Sequence, residues 1–385
     1  MKIVHLALCA PVTDGWNYQE NLLSKYHSRM GLETYIITSD WIWGADGKPA
    51  RTENMDYVND DGVHIVRLKE KKNQPENRFR RFPGLTDTLE RIAPDILFVH
   101  GCQFPDAVKV AEYLKKHRSV RAFADNHGDF GNSGRSFLSA KVLHGMLWRY
   151  MAHRLLPYTE KFYGVLPARV DFLKDVYGLP EEKCKLLLMG ADDDCIARAL
   201  ERKAQSTLRR QYGIGEEDFL IVTGGKINRS RPETLNLMEA VDRLADPRVK
   251  LLIFGNVAPE YQEKFDMLSQ NPSIVFVGWQ DSGKTYDFMA AADLVVFPGL
   301  HSVMWEQAVA LGAPCIFRKL PGFDHVDVGG NAVFMESVSG EAFEKELREL
   351  TVPGSPAYAA LLENAKSDRT KRFLYSRIAE ESVAR

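Results

Sequence analysis

Around the middle of the chain, Thr223-Gly224-Gly225 leads into Lys226 and Arg231. Glycines let a backbone come close to a ligand, and two cations beside a helix N-terminus can neutralise a diphosphate. Pro232 suits the first position of that helix. The same residues also fit a solvated basic turn. A second group is Phe297-Pro298-Gly299-Leu300-His301-Ser302-Val303-Met304-Trp305-Glu306. Here Ser302 is expected to cap a helix whose first amides point at an anion. Glu306, one turn in, could accept hydrogen bonds from two vicinal ribose hydroxyls, or could simply support the helix dipole. Its apolar neighbours Val303, Met304, Trp305, Ala308 and Val309 argue against a merely solvated acid. A third group, Asp125-Asn126-His127-Gly128-Asp129-Phe130 with Asn132 behind it, suits an active-site cleft at a strand's carboxyl end. It also fits an Asx-rich turn. His100-Gly101 ends the neighbouring strand and is a further candidate for that cleft.

The elements that must position these groups follow a repeating pattern: a short β-branched run, a polar or glycine loop, then a stretch of helical period. Strands are expected in the first half at 3–9, 34–38, 63–68, 96–99, 121–124, 162–166 and 185–189. In the second half they are expected at 219–223, 251–254, 273–277, 294–297 and 314–317. Gly15 lies in the loop after the first strand, Tyr18, Leu22, Tyr26 and Met30 share one helix face, and Gly31 ends that helix. Apolar strands alternating with helices imply parallel sheets of the doubly wound type, with ligands outside the strands' carboxyl ends. A charged helical segment at 197–212 separates the two series. The expected domains are therefore 1–194 and 195–365, with a C-terminal helix in 366–385 packing back on the first.

The 385 residues suit two domains, and 45% hydrophobic with 26% charged residues is ordinary for a globular chain. A net charge of -2 offers no field for a polyanion, which argues against nucleic acid as partner. Cys9, Cys102, Cys184, Cys195 and Cys315 form neither a CxxC nor a Cys/His cluster, so no zinc site or disulfide framework is expected. That usage fits a reducing cytoplasm. The apolar start MKIVHLALCAP reads as a buried strand rather than a signal segment, and no stretch approaches the roughly 18–20 apolar residues of a membrane span.

Two patterns compete with this reading. Gly278-Trp279-Gln280-Asp281-Ser282-Gly283-Lys284-Thr285 matches GxxxxGK[ST], making a P-loop NTPase the formal rival. Asp281 would turn a carboxylate toward the phosphates, however, and the strand at 294–297 leads into Pro298 rather than a magnesium-binding aspartate. Asp192-Asp193-Asp194 is read as an interdomain turn rather than a metal motif.

In order and spacing these motifs resemble the retaining glycosyltransferases of family 4, which have the GT-B architecture of two facing Rossmann-like domains with a cleft between them. In that family a Gly-Arg turn and a later lysine bind the donor diphosphate; Lys226 and Arg231 look like those positions with the basic types exchanged. The ribose-holding glutamate looks like Glu306, in Trp305-Glu306-Gln307-Ala308-Val309-Ala310-Leu311-Gly312-Ala313-Pro314. Met189-Gly190-Ala191-Asp192 resembles the turn closing the family's first domain, and Tyr18-Gln19-Glu20-Asn21-Leu22-Leu23 is similar to the first helix of bacterial polysaccharide-assembly members. His127 looks like the histidine that faces the donor sugar, and Gly278 like the glycine beside the base. The family's earlier glutamate is replaced by Pro298, with His301 and Ser302 in a shortened loop.

The resemblance implies transfer of a sugar, with retention and without metal or cofactor, from a nucleoside-diphosphate sugar to a saccharide or lipid-linked acceptor in cell-surface polysaccharide assembly. His127, Lys226 and Arg231 are the expected catalytic residues. Gly15, Gly225, Gly278, His301, Ser302, Val303 and Glu306 are the expected donor-binding set. A GT-B sugar-nucleotide epimerase and a non-catalytic sugar-nucleotide binder are the other readings. Lys69, Lys71, Lys72, Arg78, Arg80 and Arg81 around Phe79 and Phe82, and an apolar face on 137–156, raise a peripheral contact with the inner membrane surface, or else a charged loop and ordinary core.

Overall fold

In a computed structural model, the described residues are 1–44, 47–71, 79–130, 133, 138–204 and 207–384. The chain forms two compact units: Met1–Met189 with Tyr375–Arg385, and Gly190–Leu374. The first holds β1 (Lys2–Ala7), β2 (Glu33–Ser39), β3 (Trp41–Trp43), β4 (Pro49–Arg51), β5 (Asp56–Val58), β6 (His64–Leu68), β7 (Ile96–His100), β8 (Arg121–Asn126), β9 (Thr159–Gly164) and β10 (Cys184–Leu186). Its main sheet runs β10-β9-β8-β7-β1-β2-β6-β5, parallel except for the β5–β6 pair. The second holds β11 (Phe219–Ile227), β12 (Val249–Val257), β13 (Ile274–Phe276), β14 (Leu294–Phe297), β15 (Cys315–Arg318) and β16 (Ala332–Met335) in the order β13-β12-β11-β14-β15-β16.

Both sheets are buried on both faces, which is why their strands read as continuous apolar runs. Along β1 and β7, Val4, Leu6, Leu97 and Val99 enter one core while Ile3, Ile96 and Phe98 enter another, as the two-residue period of a strand requires. The chain order reverses between β1 and β7 in the first sheet and between β11 and β14 in the second. At such reversals the loops leaving the carboxyl ends diverge and open a crevice. His100, Gly225–Lys226 and Pro298 all lie at these two places.

Several elements depart from the sequence reading. Strand β11 runs through Gly224, Gly225 and Lys226 instead of ending before them, because these residues pair in register with Phe254, Gly255 and Asn256 of β12. Strand β9 begins earlier than expected, and β16, β5 and the β3–β4 hairpin are additional. The helix after β11 is Thr234–Leu244, so Pro232 precedes it rather than opening it. Asp193 and Asp194 are not a turn: they begin the helix Asp193–Ala204, where acids meet the positive end of the dipole, and Asp192 accepts from the Asp194 amide at 3.1 Å.

The unit boundary falls before the expected 194/195 junction because the Ala191 amide donates to the Phe373 carbonyl at 2.8 Å. Residues 366–374 consequently stay with the second unit. The helix Tyr375–Ser382 joins the first, with Tyr375, Ile378 and Ala379 buried beside Leu22, Leu23 and Tyr26 of the helix Gln19–Arg29.

The basic-aromatic cluster is largely structural. Phe82 is fully buried, Arg81 pairs with Asp106 at 3.2 Å, and Arg80 lies 3.9 Å from Glu70. Lys69 and Lys71 are exposed, while Lys72 and Arg78 lie outside the described residues, as do Asn132 and Phe137. On the segment Leu138–Trp148 and the helix Arg149–Leu155, Trp148 and Met151 are core, whereas Val142 and Met146 are exposed. No helix among the described residues is long and apolar enough to cross a membrane.

The docked C-terminal helix yields a test. Ile378→Ala empties a fully buried site and should destabilise the first unit by about 2–5 kcal/mol, read as a lower midpoint in its denaturant-induced unfolding.

Candidate functional site

The glycine pair brings two backbones unusually close. Gly225 and Gly255 sit at φ 127 and 130, and a Cβ on Gly255 would fall 1.8 Å from the Gly225 carbonyl oxygen. Only glycine tolerates both the angle and the approach. The carbonyl of Gly278 reinforces the arrangement by accepting from the Gly255 amide at 2.8 Å. At this end of β11 a small pocket is lined by Gly224, Gly225, Lys226, Arg231, Glu233, Pro298, Gly299 and Ser302, among others. Lys226 is exposed and takes no ion-pair partner among the described residues. Arg231 donates to the His301 carbonyl at 3.3 Å, tying the β11 turn to the loop after β14.

Glu233 completes the pocket. Its Oε1 accepts from Arg318 at 2.6 Å, while Oε2 is buried without a partner. The sequence reading gave Glu233 no role. Its signal was weak, since an acid beside a helix start is commonplace.

Glu306 is fully buried on the helix Met304–Ala310. Its Oε1 accepts from His301 Nε2 at 2.9 Å and from His325 Nε2 at 2.8 Å, and its Oε2 has no partner. Burial opposes charge on Glu306, but the two imidazoles outweigh it and hold the pKa down to about 2. The expected cap is absent: Val303 occupies the cap position, no side chain caps the helix, and Ser302 contributes its carbonyl to the Trp305 amide at 3.0 Å. His325 was missed because it stands alone in a loop nineteen residues from Glu306.

His301, Glu306 and His325 are also the group whose donor atoms converge, within 4.8 Å, as metal ligands would among the described residues. Metal-bound imidazoles almost always donate their other N–H to an acceptor. His325 Nδ1 is buried with none. The trio is better described as two N–H groups donating to one carboxylate.

Of the expected site residues, Gly225, Lys226, Arg231 and Ser302 share the pocket, and His301, Val303 and Glu306 follow directly in the same loop and helix. Gly15 and His127 belong to the first unit. Gly15 is exposed at φ 74. His127 is exposed, with Nε2 3.6 Å from Asp125 Oδ2. Its loop is held by an Asx turn, Asn126 Nδ2 donating to the Gly128 carbonyl at 2.8 Å and Oδ1 accepting from the Gly128 amide at 3.2 Å.

The P-loop pattern is filled from within. Asp281 caps the helix Ser282–Ala291 by accepting from the Lys284 amide at 2.9 Å, where a phosphate would have to bind. Lys284 is exposed and turned back toward Asp281 at 3.7 Å. A cavity of about 510 Å³ beside this segment, lined by Gln280 and Lys284 among others, has its arginines already paired, Arg202 with Asp287 and Arg209 with Asp293.

The Glu306 environment predicts an acid dependence. A folded pKa of about 2 against the ordinary 4.5 means a stabilising contribution complete above about 4.5 and lost as the pH falls toward 2. At neutral pH it is worth about 3 kcal/mol. Thermal unfolding measured between neutral pH and about pH 2 should therefore show a shallower acid limb in Glu306→Gln. Superimposable limbs would contradict the assignment.

Residues 218–351, which hold every pocket and Glu306-cluster residue above, match the family model described as glycosyl transferases group 1. No curated protein matches the chain by sequence. Among solved structures, the chain is similar to Anabaena HepE in complex with UDP, at 15% identity and a TM-score of 0.68, covering 99% of this chain and 98% of that one. A glycosyltransferase from Rickettsia africae aligns at 14% identity and a TM-score of 0.68, over 99% and 96% of the two chains. A putative UDP-N-acetylglucosamine 2-epimerase from Listeria monocytogenes aligns at 13% and 0.60, over 99% and 94%. The fold is thus an α/β fold of Rossmann-like, parallel-sheet domains that matches GT-B glycosyltransferase structures.

Proposed function

We propose that this chain transfers a sugar from a nucleoside-diphosphate sugar to a saccharide or lipid-linked acceptor. The observation that carries the reading is the convergence of Lys226, Arg231, Ser302 and the open backbone of Gly225 on one pocket at the β11–β14 reversal. The chemical demand in such a transfer is the charge that builds on the departing diphosphate. Lys226 and Arg231 meet it as fixed cations, without metal or cofactor. Glu306, ionised and with a buried free oxygen, accepts from the ribose hydroxyls. Glu233 supplies the sugar-side acceptor that Pro298 cannot, since an anion among the pocket's cations suits a hydroxyl better than a phosphate.

We infer that His127 is the first unit's catalytic residue, positioning the donor sugar or steadying the leaving group, and that Gly15 of the same unit belongs to the donor-binding set. We further infer a hexosyl donor, retention by front-face attack, and a place in cell-surface polysaccharide assembly at the cytoplasmic side of the membrane. Uridine is the base to try first, because HepE was solved with UDP and with UDP-glucose.

Lys226→Ala, Arg231→Ala and Glu306→Ala should each weaken nucleotide-sugar binding by about 10- to 100-fold, the loss of one charge-assisted hydrogen bond, with folding retained for the two pocket variants. Wild-type affinity in all three, measured by calorimetry, would sink the site. The epimerase neighbours define the competing outcome: conversion of the donor with no acceptor present. For the membrane partner, flotation with anionic vesicles should carry the protein upward, and substituting exposed Val142 and Met146 by serine should abolish it. Wild-type protein that stays at the bottom removes that partner.

A further inference from the structure

A line of buried imidazoles in the first unit is used by nothing described so far. Asp125 Oδ2 accepts from His100 Nδ1 at 2.7 Å. His100 Nε2 lies 2.9 Å from His5 Nδ1, and His5 Nε2 lies 2.9 Å from His27 Nδ1. His27 Nε2 faces the Ala379 carbonyl at 3.1 Å and Ser382 Oγ at 3.0 Å. His5 and His27 are fully buried, His100 is 6% exposed, and Phe98 packs on the rings of His5 and His100.

Counting protons fixes the state of this chain. One end is a carboxylate and the other a carbonyl, and both can only accept. The Ser382 hydroxyl lies 2.8 Å from the same carbonyl and 3.0 Å from His27 Nε2, and its single proton serves one of the two. With that proton on the carbonyl, four hydrogen bonds need four ring protons, whereas three neutral imidazoles carry three. One ring is then an imidazolium. Only His100 touches an anion, since Asp125 also accepts from the Gly101 amide at 2.9 Å and is itself buried.

We propose that Asp125, His100, His5 and His27 form a proton wire holding one excess proton on His100, and that seating of the C-terminal helix is what requires that proton. If the helix leaves, the Ala379 carbonyl is replaced by water, which can donate to His27 Nε2. Three ring protons then suffice: the three bonds beyond His100 reverse direction, the Asp125–His100 bond keeps its own, and the excess proton passes to solvent from His27 Nε2, leaving His100 neutral. His100, His5 and His27 are positioning residues: they act through Asp125, whose Oδ2 also lies 3.6 Å from His127 Nε2. The wire links the chain's last helix to the charge beside that loop.

The surrounding groups agree. Burial lowers the His5 pKa and takes His27 down to about 4, while for His100 the Asp125 carboxylate outweighs burial and raises it. The other groups facing the wire are Glu20 on the helix Gln19–Arg29, which also favours charge on His100, and Cys9, whose thiol is pushed up to about 12. On the C-terminal side Tyr163 donates to the Ser382 carbonyl at 3.0 Å, its own pKa raised by burial. For His100, raised above the ordinary 6.5, stability is full below that value and is lost as the pH rises through its folded pKa. For His5 and His27, stability is lost as the pH falls below 6.5.

Nitrogen-15 NMR of histidine-labelled full-length protein at neutral pH reads the proton positions directly. The expected spectrum has His100 protonated at both ring nitrogens, with His5 and His27 protonated at Nε2 alone. In Asp125→Asn the second His100 proton should disappear, and the loss of stability at rising pH should vanish with it. Three neutral rings in the wild type, or an Asp125→Asn variant that keeps the doubly protonated ring, would overturn the proposal.

Discussion

A carboxylate without solvent is tolerated only where donors replace its hydration, and Glu306 meets that condition through His301 and His325. The two histidines come from different segments, one between β14 and the helix Met304–Ala310 and one in the loop after β15. Holding both against a single oxygen fixes the path of the loop that begins at Pro298, and Arg231 is anchored to that same loop through the His301 carbonyl. The pocket's cation, its loop and its buried anion therefore form one hydrogen-bonded assembly. Removing either imidazole would leave a buried charge under-compensated and a loop without its anchor.

Backbone geometry does the remainder. The contact between Gly225 and Gly255 brings the ends of β11 and β12 together with no side chain between them. The open φ angles there leave Lys226 projecting at the end of its strand, at the reversal of strand order where doubly wound sheets present ligands. Asp281 shows the opposite use of a helix start: it satisfies the amide of Lys284 internally and so closes to phosphate a motif that by letters alone would take one.

The strand series and the parallel sheets were legible because both faces are buried, which writes each strand as an apolar run. What escaped was set by pairing rather than by composition. Gly224-Gly225-Lys226 lacks strand propensity, yet register with β12 keeps it extended. Strand β16 is only partly buried along its length and carries little signal. The site was legible where its residues are close in sequence, as from His301 to Glu306. It was illegible where partners are distant, as with His325, with Arg318 on Glu233, and with His5, His27 and His100, which come from three separate elements. Ser302 looked like a cap by type, but the helix begins two residues later and leaves its hydroxyl out of that role.

That the β11–β14 pocket grips a diphosphate is tested most directly by phosphorus-31 NMR of UDP-glucose titrated with the protein. Both phosphorus resonances should broaden and shift with wild-type protein, and both should stay at their free positions with the Lys226→Ala, Arg231→Ala double variant, whose fold is intact by circular dichroism. Phosphorus signals perturbed equally by the double variant, or perturbed for ATP with magnesium and for no sugar nucleotide, would contradict it.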